Sequence, residues 1–156
     1  MSETVDIHEE FAALTALRCL GRRRKAPRLA IVWSNDRRPF FGEAFLDDRL
    51  VRLHLFPGVD AAELRETLLH ELVHLAPGCW HHRTAFKETL IEGAAEAWGV
   101  DLQGAVGPAS ATFDIDRAIV RALRRPVVPD DAPCSWLQRL TASVNRFTQS
   151  DAWRSL

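Results

Sequence analysis

The sequence contains no tyrosine, a single methionine and three cysteines in 156 residues. Without tyrosine, any active site must do without a phenol as a proton donor or as a hydrogen-bond donor to developing negative charge. The cysteines, Cys19, Cys79 and Cys134, lie far apart. Their spacing excludes both a disulfide framework and a metal ribbon of paired Cys-x-x-Cys motifs, and it is typical of a protein in a reducing cytoplasm.

Long hydrophobic runs are also missing. No apolar stretch approaches the ~20 residues that a helix needs to cross a bilayer. The N-terminal segment, with Glu3, Asp6 and Glu9, lacks the basic-then-apolar order of a secretion signal. We therefore expect a cytoplasmic protein with no membrane partner. The net charge of −1 does not indicate a nucleic-acid partner, despite a short basic run at residues 22–25, and nothing predicts the oligomeric state.

The remaining composition is that of one small globular protein. With 47% hydrophobic residues in a chain of this length, a single domain with one core is expected. Hydrophobic periodicity predicts both helices and strands, hence an α+β fold with a short antiparallel sheet of about three strands. The predicted elements are an N-terminal helix over 7–20, strands at 29–33, 40–46 and 50–56, helices at 60–75 and 83–98, and C-terminal helices at 114–125 and 136–147.

The most specific motif is the run from His70 to His74, which reads His-Glu-Leu-Val-His. On a helix, residues four apart share one face, so both imidazoles can reach one metal ion. Glu71 lies one step round, where its carboxylate can take a proton from a water that the metal activates. A helix is expected here because Asp60 is a suitable N-cap with Glu63 three residues on, and a Pro-Gly pair follows.

The leucines of this predicted helix indicate which face is buried. Leu64, Leu68 and Leu72 form one stripe, and His70 and His74 fall on a different face. The imidazoles are therefore free to serve a site instead of the core. The alternative is that they are two solvated histidines on an amphipathic helix.

A catalytic zinc site usually takes three protein ligands, and the loop after the helix offers the third. This loop is short and leads directly into the next helical pattern, so a residue near position 82 can return to the face of the first two histidines. By spacing alone, His81 and His82 are both candidates.

The motif and its continuation, His82-x-x-x-Phe86-Lys87-x-x-Leu90, resemble the SprT-like and WLM-type zinc metallopeptidase domains, which are zincins. The resemblance covers roughly residues 28 to 100. It implies one zinc ion held by His70, His74 and His82, Glu71 as general base, and Phe86 as a packing residue. The zinc ribbon of the longer family members is missing, so their DNA-associated role is not carried over.

On this resemblance, residues 1–103 are expected to form a zincin-like metallopeptidase core. Residues 104–156 are expected to be a helical extension that packs on the core and is not an independent domain; one hypothesis makes it a lid. The expected function is a zinc-dependent peptidase acting on a peptide or protein substrate. Because tyrosine is absent, the oxyanion must be stabilised by zinc, His81 or Arg83.

Two other ligands would change this interpretation. Glu92, in a Glu-Gly-x-Ala-Glu element similar to that of gluzincins, would replace His82 as the third ligand, since the two positions lie about 15 Å apart on one helix. Cys79 would act as a fourth ligand and close the site to water. A closed site favours the alternative function, a metal-stabilised binding or regulatory protein without hydrolytic activity.

Overall fold

The structure, a computed structural model, describes residues 5–21, 25–34, 42–56, 59–102 and 104–125. Within these ranges the chain is α+β, as predicted. No helix in the described ranges is both long enough and apolar enough for a bilayer span. The helices are α1 (Ile7–Thr15), α2 (Ala61–His74), α3 (Thr84–Trp98) and α4 (Thr112–Arg124), and the strands are β1 (Arg28–Trp33), β2 (Gly42–Phe45) and β3 (Leu50–Leu55).

The sheet is mixed, so the prediction of an antiparallel sheet is wrong. The strand order is β1-β3-β2, in which β2 and β3 form the expected antiparallel hairpin and β1 runs parallel to β3. On β3, Val51, Leu53 and Leu55 are buried in alternation. β3 is the central strand of the sheet: the hairpin with β2 occupies one of its edges, and β1 pairs with the other.

Helix α2 is the central element of the unit that the structure describes, and it contacts α1, α3, α4 and the sheet. It begins where the sequence predicts, since the Asp60 carboxylate accepts a hydrogen bond of 2.7 Å from the Glu63 N–H. The predicted leucine stripe is buried, but the neighbouring faces are covered as well: Leu69 and Val73 are fully buried, and Glu66 is 7% exposed. The helix is therefore enclosed on most sides.

Helices α3 and α4 both pack against α2 and against each other. The loop between α2 and α3 turns at Gly78, whose φ of +77° is a left-handed conformation that glycine adopts without strain. Helix α4 packs on α2 and α3 through the fully buried Ile115 and Ile119.

These elements belong to one compact unit that ends at Arg125. This unit includes α4, which lies in the predicted extension over residues 104–156. The predicted helix over residues 136–147 and the hypothesis that it is a lid lie outside the described residues.

Candidate metal centre

Three imidazoles meet at the end of α2. The Nε2 atom of His82 lies 3.0 Å from the Nε2 of His70 and 3.0 Å from that of His74. A tetrahedral ion with metal–nitrogen bonds of ~2.0–2.1 Å places two ligand nitrogens about 3.3 Å apart. One shared proton can link only two of these atoms, whereas a metal ion engages all three. The donor set therefore fits a divalent metal ion, and these residues are able to hold one.

The local fold explains the convergence. His70 and His74 lie one turn apart on α2, and the short loop brings back His82 just before α3 begins. Behind them lies the fully buried Phe86, whose ring centroid is 4.9, 4.5 and 4.7 Å from those of His70, His74 and His82. Phe86 thus supports all three rings from one side and leaves the Nε2 edges facing each other.

A carboxylate on α4 orients one of these rings. The Oδ1 atom of Asp116 lies 3.1 Å from the Nδ1 of His70, and Oε1 of the buried Glu66 lies 3.7 Å from the same nitrogen. A carboxylate on Nδ1 keeps the proton there, so that the Nε2 lone pair faces the metal position. Sequence reasoning missed Asp116, since it lies 46 residues beyond His70 in an ordinary amphipathic pattern.

The surroundings separate the pKa values of the three imidazoles. Burial alone would lower the pKa of His70, but hydrogen bonds to Asp116 and Glu66 outweigh it and raise that pKa to about 10. Burial, followed by the charge of His70, lowers the pKa of His74 to about 4 and also lowers that of His82. At neutral pH, His74 and His82 therefore offer lone pairs, and a metal ion must displace one proton from His70.

Glu71 occupies a tight, buried position under β2. Burial raises its pKa to about 7, partly opposed by the charge of His70. Gly42, at the start of β2, lies directly against it, because a Cβ at this position would be 2.7 Å from the Glu71 Cγ and 2.6 Å from the Thr67 Cγ2. Only glycine lets the strand approach α2 this closely. The β2 backbone therefore covers Glu71 and contributes to its desolvation.

A cleft of about 670 Å³ opens beside the histidines, between α2, α4 and the start of β2. His70, Glu71 and His82 line it at the metal end. The α4 side is lined by Thr112, Phe113, Asp116, Arg117, Val120, Arg121 and Arg124. The candidate metal position is thus accessible from a cleft, as a reacting centre requires.

The other predicted ligands lie apart from this cluster. Within the described ranges, two groups of side chains lie close enough to share a metal ion: His70 with His74 and His82, and His70 with Glu66 and Asp116. His81, Glu92 and Cys79 belong to neither group. His81 and Glu92 are exposed. Cys79 is buried, and its Sγ contacts the carbonyl oxygen of Ala85 and the hydroxyl of Thr89. The geometry therefore favours His82 as third ligand and, among the residues that the structure describes, offers no fourth protein ligand.

Comparison of the chain with protein-family models, with curated proteins and with solved structures found no match. The resemblance to SprT-like and WLM-type domains therefore stays a prediction from the motif, and the functional interpretation depends on the geometry of the cluster and the cleft.

Proposed function

We propose that the protein is a zinc-dependent peptidase. The observation that carries this proposal is the convergence of three imidazole Nε2 atoms beside a buried glutamate, at one end of a cleft. Neutral imidazoles are good zinc ligands, and three protein ligands are the number typical of catalytic zinc sites, in contrast to the four of structural sites.

His70, His74 and His82 would hold the ion. When bound, zinc supplies a Lewis acid that makes water more acidic and polarises a carbonyl group. Asp116 acts through His70, because its carboxylate keeps that ring in the tautomer and orientation that ligation needs. The third imidazole depends on Phe86, which packs against His82 and its two partners.

Glu71 transfers the proton from the attacking water to the leaving amine. Its buried carboxylate lines the cleft at the end where the imidazoles meet, where it can accept a proton from water and then donate it to the leaving amine. The close cover by Gly42 restricts the carboxylate to few positions. His81 and Arg83, both exposed beside His82, are available as donors to the oxyanion in place of the missing tyrosine.

The test combines metal analysis with hydrolysis of an unfolded protein substrate. The wild type is expected to hold one zinc ion and to cleave the substrate. Glu71→Gln is expected to keep the metal and lose at least about 100-fold in rate, the lower range for a lost general base. Glu88→Gln, an exposed glutamate on α3, is the matched control and should leave both unchanged. Full hydrolysis by the Glu71 variant contradicts the assignment, and bound metal without hydrolysis in the wild type favours the non-catalytic alternative.

A further inference from the structure

We propose that the cleft selects peptides that carry an acidic side chain close to the scissile bond, with Arg117 and Arg121 of α4 as the residues that bind it. This inference rests on the proposed peptidase function, because it assigns the substrate class of the same site. It comes from the charges on the α4 wall of the cleft, outside the histidine motif.

The packing of α4 determines which of its side chains face the cleft. Ile115 and Ile119 are fully buried on the core side. Arg117, Val120 and Arg121 therefore fall on the side that lines the cleft. Since the buried isoleucines prevent rotation of the helix, the arginines are held along the wall that begins at the metal end with Asp116.

Three of the four carboxylates that line the cleft lie beside a basic side chain. Asp116 contacts His70, the buried Glu66 lies beside the same imidazole, and Glu63 pairs with Arg124 at 3.2 Å. Glu71 is buried under Gly42. These partners offset part of the negative charge that an incoming group meets in this cleft.

The two arginines differ in this respect. Within the ranges that the structure describes, neither Arg117 nor Arg121 forms an ion pair, although both line the cleft. They lie four residues apart on one helix face, where like charges repel by a few tenths of a kcal/mol. A carboxylate bound between them removes this repulsion and gains charge-assisted hydrogen bonds.

Phe113 gives the wall a second feature that suits an acidic side chain. The guanidinium carbon of Arg117 lies 5.3 Å from the ring centroid of Phe113, so the cation is held over the aromatic face. A stacked guanidinium keeps its N–H edge free for a carboxylate. The ring itself is 65% exposed and offers apolar surface to the methylene groups of a glutamate.

The test uses matched peptides that differ only in having Glu, Gln or Lys at the residues flanking the cleaved bond. For the zinc-loaded wild type, kcat/KM for the Glu peptide should exceed that for the Gln peptide by about tenfold, the effect of one charge-assisted hydrogen bond. In the double variant Arg117→Glu/Arg121→Glu, the preference should reverse in favour of Lys. Arg125→Glu, at the exposed end of α4 and outside the cleft lining, is the control and should retain the preference for Glu.

Binding separates this inference from the proposed function. The zinc-loaded Glu71→Gln variant, titrated with the same labelled peptides, should bind the Glu peptide most tightly, and adding the two arginine substitutions should make the Lys peptide the tightest binder. If the wild type cleaves nothing but this binding pattern holds, the peptidase proposal falls and the acidic-ligand inference stands. Cleavage without a preference for Glu, or a preference that survives the double variant, overturns the inference. Tighter binding of an oligonucleotide than of the Glu peptide, lost in the double variant, overturns it as well.

Discussion

Asp116 on α4 lies 3.1 Å from His70 on α2, measured from carboxylate Oδ1 to imidazole Nδ1. This contact joins a helix outside the histidine motif to the centre of the candidate metal site. The orientation of the His70 ring thus depends on the docking of α4, which the buried Ile115 and Ile119 secure. Metal binding and the packing of this helix are therefore expected to support each other.

Removing the charge of Asp116 tests this dependence. We expect Asp116→Asn to weaken zinc binding by about 10- to 100-fold, the usual effect of losing the partner of a ligating histidine. Competition with a chromophoric chelator measures the affinity. Asp114→Asn, an exposed change on the first turn of the same helix, is the control and should leave it unchanged. Equal affinities for both variants would show that the contact does not orient His70.

Gly42 is expected to be intolerant of the smallest side chain. A Cβ at this position would overlap Thr67 and Glu71, so Gly42→Ala must displace β2 or the glutamate. We expect a loss of about 1–3 kcal/mol in the free energy of unfolding, together with reduced hydrolysis. Urea denaturation measures the former. Gly107→Ala is the control, because its Cβ would meet no atom within 4 Å, and comparable stability of both variants would contradict the predicted overlap.

Phe86 is expected to affect stability and metal binding together. Phe86→Ala removes a fully buried ring that contacts all three histidines. We expect the free energy of unfolding to fall by about 3–5 kcal/mol and most of the bound zinc to be lost. Phe86→Leu fills most of the space, so this variant should retain the metal and lose less of its free energy of unfolding. Unfolding curves with and without zinc measure both effects. If Phe86→Ala binds zinc as tightly as the wild type, the ring does not support the imidazoles.

Acid should weaken the start of α2. Burial tends to raise the pKa of Asp60, but the Glu63 N–H and Arg124 outweigh it and lower the pKa below its ordinary value of 3.8. Because the folded pKa is the lower one, this contribution to stability is present above pH about 3.8 and is lost as the pH falls through the folded value.

Two substitutions separate the cap from the charge. Asp60→Asn keeps an N-cap acceptor but loses the ion pair with Arg124, so it should be less stable than the wild type at pH 6, and this difference should shrink as the pH falls below about 3.8. Asp60→Ala also removes the N-cap acceptor, so at pH 6 its free energy of unfolding should be about 1 kcal/mol lower than that of Asp60→Asn. Thermal unfolding across this pH range measures the difference. A constant gap between wild type and Asp60→Asn at all pH values would contradict the assigned pKa direction.

Local features of the site were predictable from the sequence. The N-cap at Asp60 and the four-residue spacing of His70 and His74 are properties of one helix, and the short loop limits where His82 can lie. The parallel pairing of β1 was not predictable. It follows from the strand order, because β1 pairs with the free edge of β3 and not with β2, and no local sequence pattern indicates which of the two strands β1 joins. Asp116 and Gly42 were missed for a similar reason: their roles arise from contacts between elements distant in sequence, and neither belongs to a local pattern.

The central claim is that His70, His74 and His82 together hold one metal ion with a coordination position left open. X-ray absorption spectroscopy at the zinc edge of the zinc-loaded protein tests it most directly. We predict one zinc per chain, with imidazole scattering from three ligands and one further oxygen, all at about 2.0–2.1 Å. A sulfur ligand at about 2.3 Å, which would implicate Cys79, or a failure to bind stoichiometric zinc would contradict the claim.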